Sequence, residues 1–311
     1  MRKPFRVALN TLGVLVATPV LVLATTAVVH AVASKVEASD IVSYGELVPV
    51  DGKKMNVVIR GSGNDTIVLL PGLGTAAPAL DFQPLIEALS VRYRVIAVEP
   101  FGTGLSDQTD TERTIGNITR ELHEALRYLG VDRYVLMGHS MAGIYALAYS
   151  AAYAGELSAF VGIDSSVPDQ PGWNEPLPAD AIVALADLGI TRLLRWLGDD
   201  PYAGLPYDEA TQRQLDLLSA KNAAAPTLTN EMRNAPANFA AVSGMTFPKD
   251  LPVLLFVRAQ DADIPGWGEL HRRQAASVDR GRVITLDGGH YLHHTRSADI
   301  ARDTATFLEP H

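Results

Sequence analysis

Short β-branched runs alternate along this chain with stretches of helical period, and that order restricts the fold more than any other feature. Val57 to Ile59, Thr66 to Leu70 and Arg94 to Val98 are bounded by Gly, Asn, Asp or Pro, as strands are. Between the last two, Phe82, Leu85, Ile86 and Leu89 recur at helical spacing, and Ile115, Ile118, Leu122, Leu126 and Leu129 line a second helix that ends at Gly130. A strand at Tyr134 to Met137, a helix from about Met141 to Tyr153 and a strand at Phe160 to Ile163 follow. Sequential strands joined through helices need right-handed crossovers, which predicts an α/β class with a mostly parallel sheet.

The alternation stops after Val167. Residues 168–248 offer helical stretches around Asp180 to Trp196, Asp208 to Ala220 and Thr229 to Val242, broken by prolines and without a strand pattern. It resumes with a strand at Val253 to Val257, a helix at Trp267 to Ala276, a strand at Val283 to Leu286 and a terminal helix from about Ala298 to Leu308. The expected core is therefore 44–167 with 249–311, and 168–248 is expected to form a helical cap over the sheet edge where ligands bind.

At 311 residues and 47% hydrophobic content, the chain can bury a large core and is no disordered tail. A formal net charge of −9 without a basic cluster argues against a nucleic-acid partner. The absence of cysteine excludes thiolate nucleophiles, disulfides, iron–sulfur clusters and cysteine–zinc sites, so any side-chain nucleophile is oxygen or nitrogen.

Arg2, Lys3 and Arg6 precede an uncharged run from Val7 to Ala33. About 23 helical residues reach roughly 34 Å, enough for a hydrocarbon core of about 30 Å. A cleavable signal peptide competes, because Ala31 and Ala33 form a small-x-small pattern, but its apolar core needs only about 7 to 15 residues. The expectation is an uncleaved signal anchor over 1–33, with a polar tether over 34–43. Basic residues before the span place the N-terminus inside and the remainder outside the cytoplasm.

The most informative string is Gly138-His139-Ser140-Met141-Ala142-Gly143, at the passage from a strand into a helix. Small residues two places either side of Ser140 let strand and helix backbones approach through a strained turn, which pushes the hydroxyl out at the sheet edge. Upstream, Leu70-Pro71-Gly72-Leu73-Gly74 puts a glycine-rich turn after an earlier strand. Acyl transfer needs two backbone N–H donors for its oxyanion, and Leu73 and Met141 are the candidates. Downstream, Gly288-Gly289-His290 can supply a base, and Asp261 or Asp263, after the strand ending at Val257, an acid.

On these residues the chain resembles serine α/β-hydrolases from roughly Val50 to Leu308. The resemblance implies the α/β-hydrolase fold, an eight-stranded mostly parallel sheet with a helical cap inserted after the sixth strand. Glu99-Pro100-Phe101-Gly102-Thr103-Gly104-Leu105-Ser106 resembles the family's structural D-x-x-G-x-G-x-S turn, with Glu for Asp. Pro71 stands where many relatives carry His, and Ala142 replaces the last glycine of the elbow. Dehalogenases and epoxide hydrolases of similar layout carry Asp at the nucleophile position, so Ser140 argues against both. In the family pattern the acid falls nine positions after the proline opening the seventh strand and four before a second proline; counting from Pro252 and from Pro265 both give Asp261.

The expected catalytic set is Ser140, Asp261 and His290, with Leu73 and Met141 as oxyanion donors and neither metal nor organic cofactor. His293 and His294 are expected as polar residues at a helix start, because adjacent histidines diverge on most backbones and no carboxylate lies at metal-motif spacing. The expected function is a carboxylesterase-like serine hydrolase acting on a small-molecule ester with an apolar acyl group, anchored by the N-terminal helix with its catalytic domain outside the cytoplasm. An amide or peptide hydrolase, or a small-molecule sensor on the same scaffold, are the alternatives.

Overall fold

The computed structural model describes residues 3–259 and 264–309, with the side chains of the first helix described from Thr18 onward. Eight strands form one sheet: β1 (Glu46–Val50), β2 (Lys53–Arg60), β3 (Thr66–Leu70), β4 (Arg94–Glu99), β5 (Tyr134–His139), β6 (Leu157–Ile163), β7 (Val253–Arg258) and β8 (Gly281–Leu286). Their order across the sheet is β1-β2-β4-β3-β5-β6-β7-β8. The pairs β1/β2 and β2/β4 are antiparallel, and every other pair is parallel. This is the α/β-hydrolase fold expected from the sequence. Strand β1 lacks a strand-like run because Pro49 interrupts it, a residue tolerated where a strand lies at the sheet edge.

The central strands are apolar on both faces because helices cover both. Ile115–Tyr128, Ala142–Ala152 and Trp267–Ala276 lie on one side, where Ile118, Leu122, Ile144 and Trp267 join Leu136 and Leu255. Gln83–Ser90 and Ser297–Leu308 lie on the other, where Leu85, Leu89 and Ile300 join Val135, Val161 and Phe256. At about 25 cal/mol per Å², burying one such side chain contributes roughly 1.5–3 kcal/mol before entropy is counted.

Between β6 and β7 the chain is helical: Ala179–Asp187, Ile190–Leu197, Glu209–Asn222 and Pro226–Ala241. The single stretch expected over Asp180 to Trp196 breaks in two at Gly189, whose φ of 70° no continuing helix adopts. The last of these helices is tied to the core by buried polar contacts. Asn238 Oδ1 accepts from Ile115 N at 2.7 Å, and Tyr145 Oη donates to Glu231 Oε1 at 2.7 Å.

The first helix, Lys3–Glu37, continues four residues into the stretch expected to be a tether. Its described part, Thr18–Glu37, has a mean hydropathy of 1.6 and is long and apolar enough to cross a bilayer. It also touches the inserted helices. Thr26 Oγ1 donates to Leu188 O at 2.7 Å, and Arg192 forks onto Glu37 at 2.6 and 2.7 Å.

The turn after β4 shows why Glu serves where the family has Asp. The fully buried Glu99 carboxylate accepts from Tyr44 Oη at 2.8 Å, Asn56 Nδ2 at 2.9 Å, Leu105 N at 2.8 Å and Ala79 N at 3.2 Å. Burial pushes its carboxyl above the usual range against the pull of these donors. Gly104, at φ 50°, lies so close that an added Cβ would fall 1.7 Å from Glu99 Oε2. Gly104→Ala is therefore expected to lower the unfolding free energy by at least about 2 kcal/mol in denaturant titrations. An unchanged midpoint would show that the carboxylate cradle yields.

Candidate active site

Parallel register builds the site. His139 at the end of β5 pairs with Ile163 at the end of β6, so the next residues, Ser140 and Asp164, emerge side by side at one sheet edge. Both leave their strands with φ in the left-handed region, 52° for Ser140 and 42° for Asp164. Four non-glycine residues do so among the described residues, and two of them are here. Such strain costs of order 1–3 kcal/mol and persists only where surrounding structure fixes it. At Ser140 the fixing bonds are its N–H to Ile163 O at 3.2 Å and its C=O accepting from Ser166 N at 2.7 Å.

Close packing explains the small residues around the elbow. A Cβ on Gly138 would approach Ala142 Cβ to 2.9 Å, so strand and helix already touch with alanine in the last elbow position. A Cβ on Gly72 would stand 2.7 Å from Ser140 Cβ, which puts the glycine-rich turn after β3 directly against the serine. The backbone N–H groups of Leu73 and Met141 donate to no acceptor among the described residues. Both belong to segments flanking Ser140, and Met141 precedes the helix Ala142–Ala152, whose N-terminus favours negative charge.

His290 Nε2 stands 2.9 Å from Ser140 Oγ, and its Nδ1 stands 2.6 Å from Asp164 Oδ2. Among the described residues, the carboxylate facing His290 is Asp164, whereas the acid expected there was Asp261. Asp261 and Asp263 lie outside the described residues. Asp164 Oδ1 also accepts from Trp267 Nε1 at 2.7 Å and from Arg258 N at 3.1 Å. Burial alone would raise the Asp164 carboxyl; the bonds from His290, Trp267 and the Arg258 backbone outweigh it and hold the group below its usual range. The side chain of Asp164 is fully buried while that of His290 is 33% exposed, so the carboxylate is shielded and the imidazole reaches solvent.

Two further contributors carry no sequence signature. Trp267, in the sequence the expected start of a helix, donates its indole N–H to Asp164 and orients it. The fully buried His139 lends Nε2 to the carbonyl of His290 at 3.1 Å, and since a carbonyl only accepts, that nitrogen carries the proton. Burial drives the pKa of His139 well down, so it supports the loop of His290 without adding a charge. His293 and His294 do not diverge as expected. Both reach Asp81, a carboxylate more than 200 residues away that no spacing rule would find.

The depressed pKa of Asp164 has a consequence for stability. A carboxylate ionised more readily when folded contributes stability above its unfolded pKa, and that contribution is lost as pH falls through the folded value. The stability gap between wild type and Asp164→Asn should therefore narrow as pH falls from about 5 towards 2. Urea midpoints measured across that range check this, and a constant gap would contradict it.

A model of the alpha/beta hydrolase family matches residues 67–303. An uncharacterised Bacillus subtilis protein, YbdG, is 36% identical over 135 residues, 43% of this chain and 42% of that protein. The 3-oxoadipate enol-lactonase 1 of Acinetobacter baylyi is 30% identical over 151 residues, 48% of this chain and 56% of the lactonase. The chain thus spans about half the length of the curated relatives it matches. An epoxide hydrolase from Vigna radiata superposes with a TM-score of 0.65 at 20% identity over 85% of this chain and 97% of its own, a likeness of fold alone.

Proposed function

The chain belongs to the alpha/beta hydrolase family, and on that premise we propose that it is a serine hydrolase that cleaves carboxylic esters through an acyl-serine intermediate. The observation that carries this reading is the unbroken line from Ser140 Oγ through His290 to Asp164. The neutral His290 Nε2 accepts the Ser140 proton as Oγ bonds to the ester carbonyl carbon. Asp164 keeps the other imidazole proton on Nδ1 and stabilises the imidazolium. The oxyanion is received by the N–H groups of Leu73 and Met141, which have no other acceptor among the described residues. Collapse breaks the bond to the alcohol, which leaves with the proton held by His290. Water, deprotonated by the same imidazole, then frees the acid and restores Ser140. No step needs a metal or organic cofactor. The enol-lactonase named among the relatives acts on a cyclic ester, which favours ester over amide as substrate class.

A fluorophosphonate probe should label wild type and spare Ser140→Ala; equal labelling would sink the assignment. Asp164→Asn should lower kcat on p-nitrophenyl esters by about 10⁴-fold, because it disfavours the required tautomer and removes the charge facing the imidazolium. Asp261→Asn should change it far less, and the reverse order would return the acid to the loop after β7. Aminoacyl anilides cleaved faster than esters would move the substrate class to amides, and labelling without turnover on either would favour a sensor.

For its location, the apolar first helix supports an uncleaved anchor with the catalytic domain outside the cytoplasm. The full-length chain is expected to stay with membranes through alkaline carbonate washing and to lose its C-terminal domain to external protease. A soluble product beginning near Ser34 would show cleavage instead.

A further inference from the structure

Behind the catalytic histidine, three donors from two distant parts of the chain meet. Asp81 ends the short helix Pro78–Asp81, and His293 and His294 belong to the helix Leu292–Thr295. His293 Nε2 lies 2.7 Å from Asp81 Oδ2, His294 Nε2 lies 2.8 Å from Asp81 Oδ1, and all three ligand atoms fall within 4.8 Å of one another. Successive side chains on a helix point about 100° apart, so two neighbouring imidazoles on one carboxylate are an arrangement the surroundings impose. Tyr291 stacks on His294 with centroids 5.0 Å apart, and Tyr207 meets it edge-on at 5.7 Å. Phe82 packs on the fully buried His293 at 4.7 Å. The three donor atoms thus converge within an aromatic enclosure made by Phe82, Tyr207 and Tyr291.

Tautomers supply an independent observation. His139 carries its proton on Nε2, so its Nδ1 is a bare acceptor, buried and without a partner among the described residues. His293 Nδ1 is likewise buried and without one, and the two rings lie 4.7 Å apart. If His293 donates Nε2–H to Asp81, both Nδ1 atoms are bare acceptors in neighbouring rings. If Nε2 instead binds a metal, the proton must sit on Nδ1, and one of the two orphans becomes a donor. Metal-bound histidines are held by their second nitrogen in this way.

We propose that Asp81, His293 and His294 form a binding site for one divalent ion of the zinc class. Donors roughly 2.0–2.1 Å from a tetrahedral ion stand about 3.4 Å apart, so the two imidazoles and the carboxylate, now 2.7 and 2.8 Å apart pair by pair, need open by only about half an ångström to admit it. Two imidazoles with one carboxylate suit zinc, and water completes the shell. The ion pins the segment after the Leu73 turn to the helix that follows His290, so its role is to hold two loops of the hydrolytic site in register. It takes no part in the acyl transfer proposed above, and its presence is read without measuring hydrolysis.

The test uses the full chain in detergent, stripped with chelator, loaded with Zn²⁺ or Co²⁺ and desalted. The expected result is one metal per chain by elemental analysis, visible d–d absorption with Co²⁺, and two imidazoles in the first shell by X-ray absorption. Asp81→Asn and His294→Gln should each weaken binding by more than the roughly 10–100-fold that outer-shell changes cost. His123→Gln, on the far Tyr153 face, should bind as wild type does. Wild-type protein that desalts free of metal, or a first shell without imidazole, overturns the proposal even if the variants fail to fold. Wild-type affinity in both substituted proteins overturns it as well.

Discussion

Everything at the candidate site depends on parallel pairing between β5 and β6. With His139 opposite Ile163, the residues that follow each strand exit together at the same edge, and neither has a regular conformation available. Ser140 and Asp164 both turn into the left-handed region, one to begin a helix and the other to begin the path into the helices between β6 and β7. A slip of one residue would reverse the faces of an entire strand, with Val161 and Ile163 leaving the core, so apolar burial fixes the register and the register fixes the spacing of Ser140 and Asp164. The strain at both turns is sustained by that burial and by the bonds closing over Ser140 from Ile163 and Ser166.

The sheet and its flanking helices were legible in the sequence because their signals are periodic and local. Strand β3 and the helix Trp267–Ala276 match their expected limits, and the other strands identified in the sequence extend by a few residues. The nucleophile elbow was legible for a related reason: close packing at Gly138 and Ala142 leaves a mark within three residues of Ser140. The acid leaves no such mark. Asp164 is one aspartate after an apolar run, and counting prolines around β7 favoured a different loop. What identifies Asp164 is its position beside Ser140, a relation between strands that only the register expresses. A reading that paired every strand end with its neighbours would have put Asp164 beside Asp261 as a candidate. The convergence of His293 and His294 was hidden for the same reason, since Asp81 belongs to the far end of the sequence.

Division of charge keeps these groups from interfering. In the proposed mechanism His290 gains and loses a proton during turnover, which calls for a partner with fixed negative charge on Nδ1, and three donors hold the Asp164 carboxyl below its usual range. His139, with its ring 4.6 Å from that of His290, would oppose an imidazolium if it were also charged. Burial prevents that, and its one N–H is committed to the His290 carbonyl. The two imidazoles downstream have their own carboxylate in Asp81. Each acid therefore serves a separate set of rings, although His290, His293 and His294 lie within five residues of one another. The proposed mechanism needs one imidazole facing the serine, and here each neighbouring histidine is bonded to a different partner, His139 to the His290 carbonyl and His293 and His294 to Asp81.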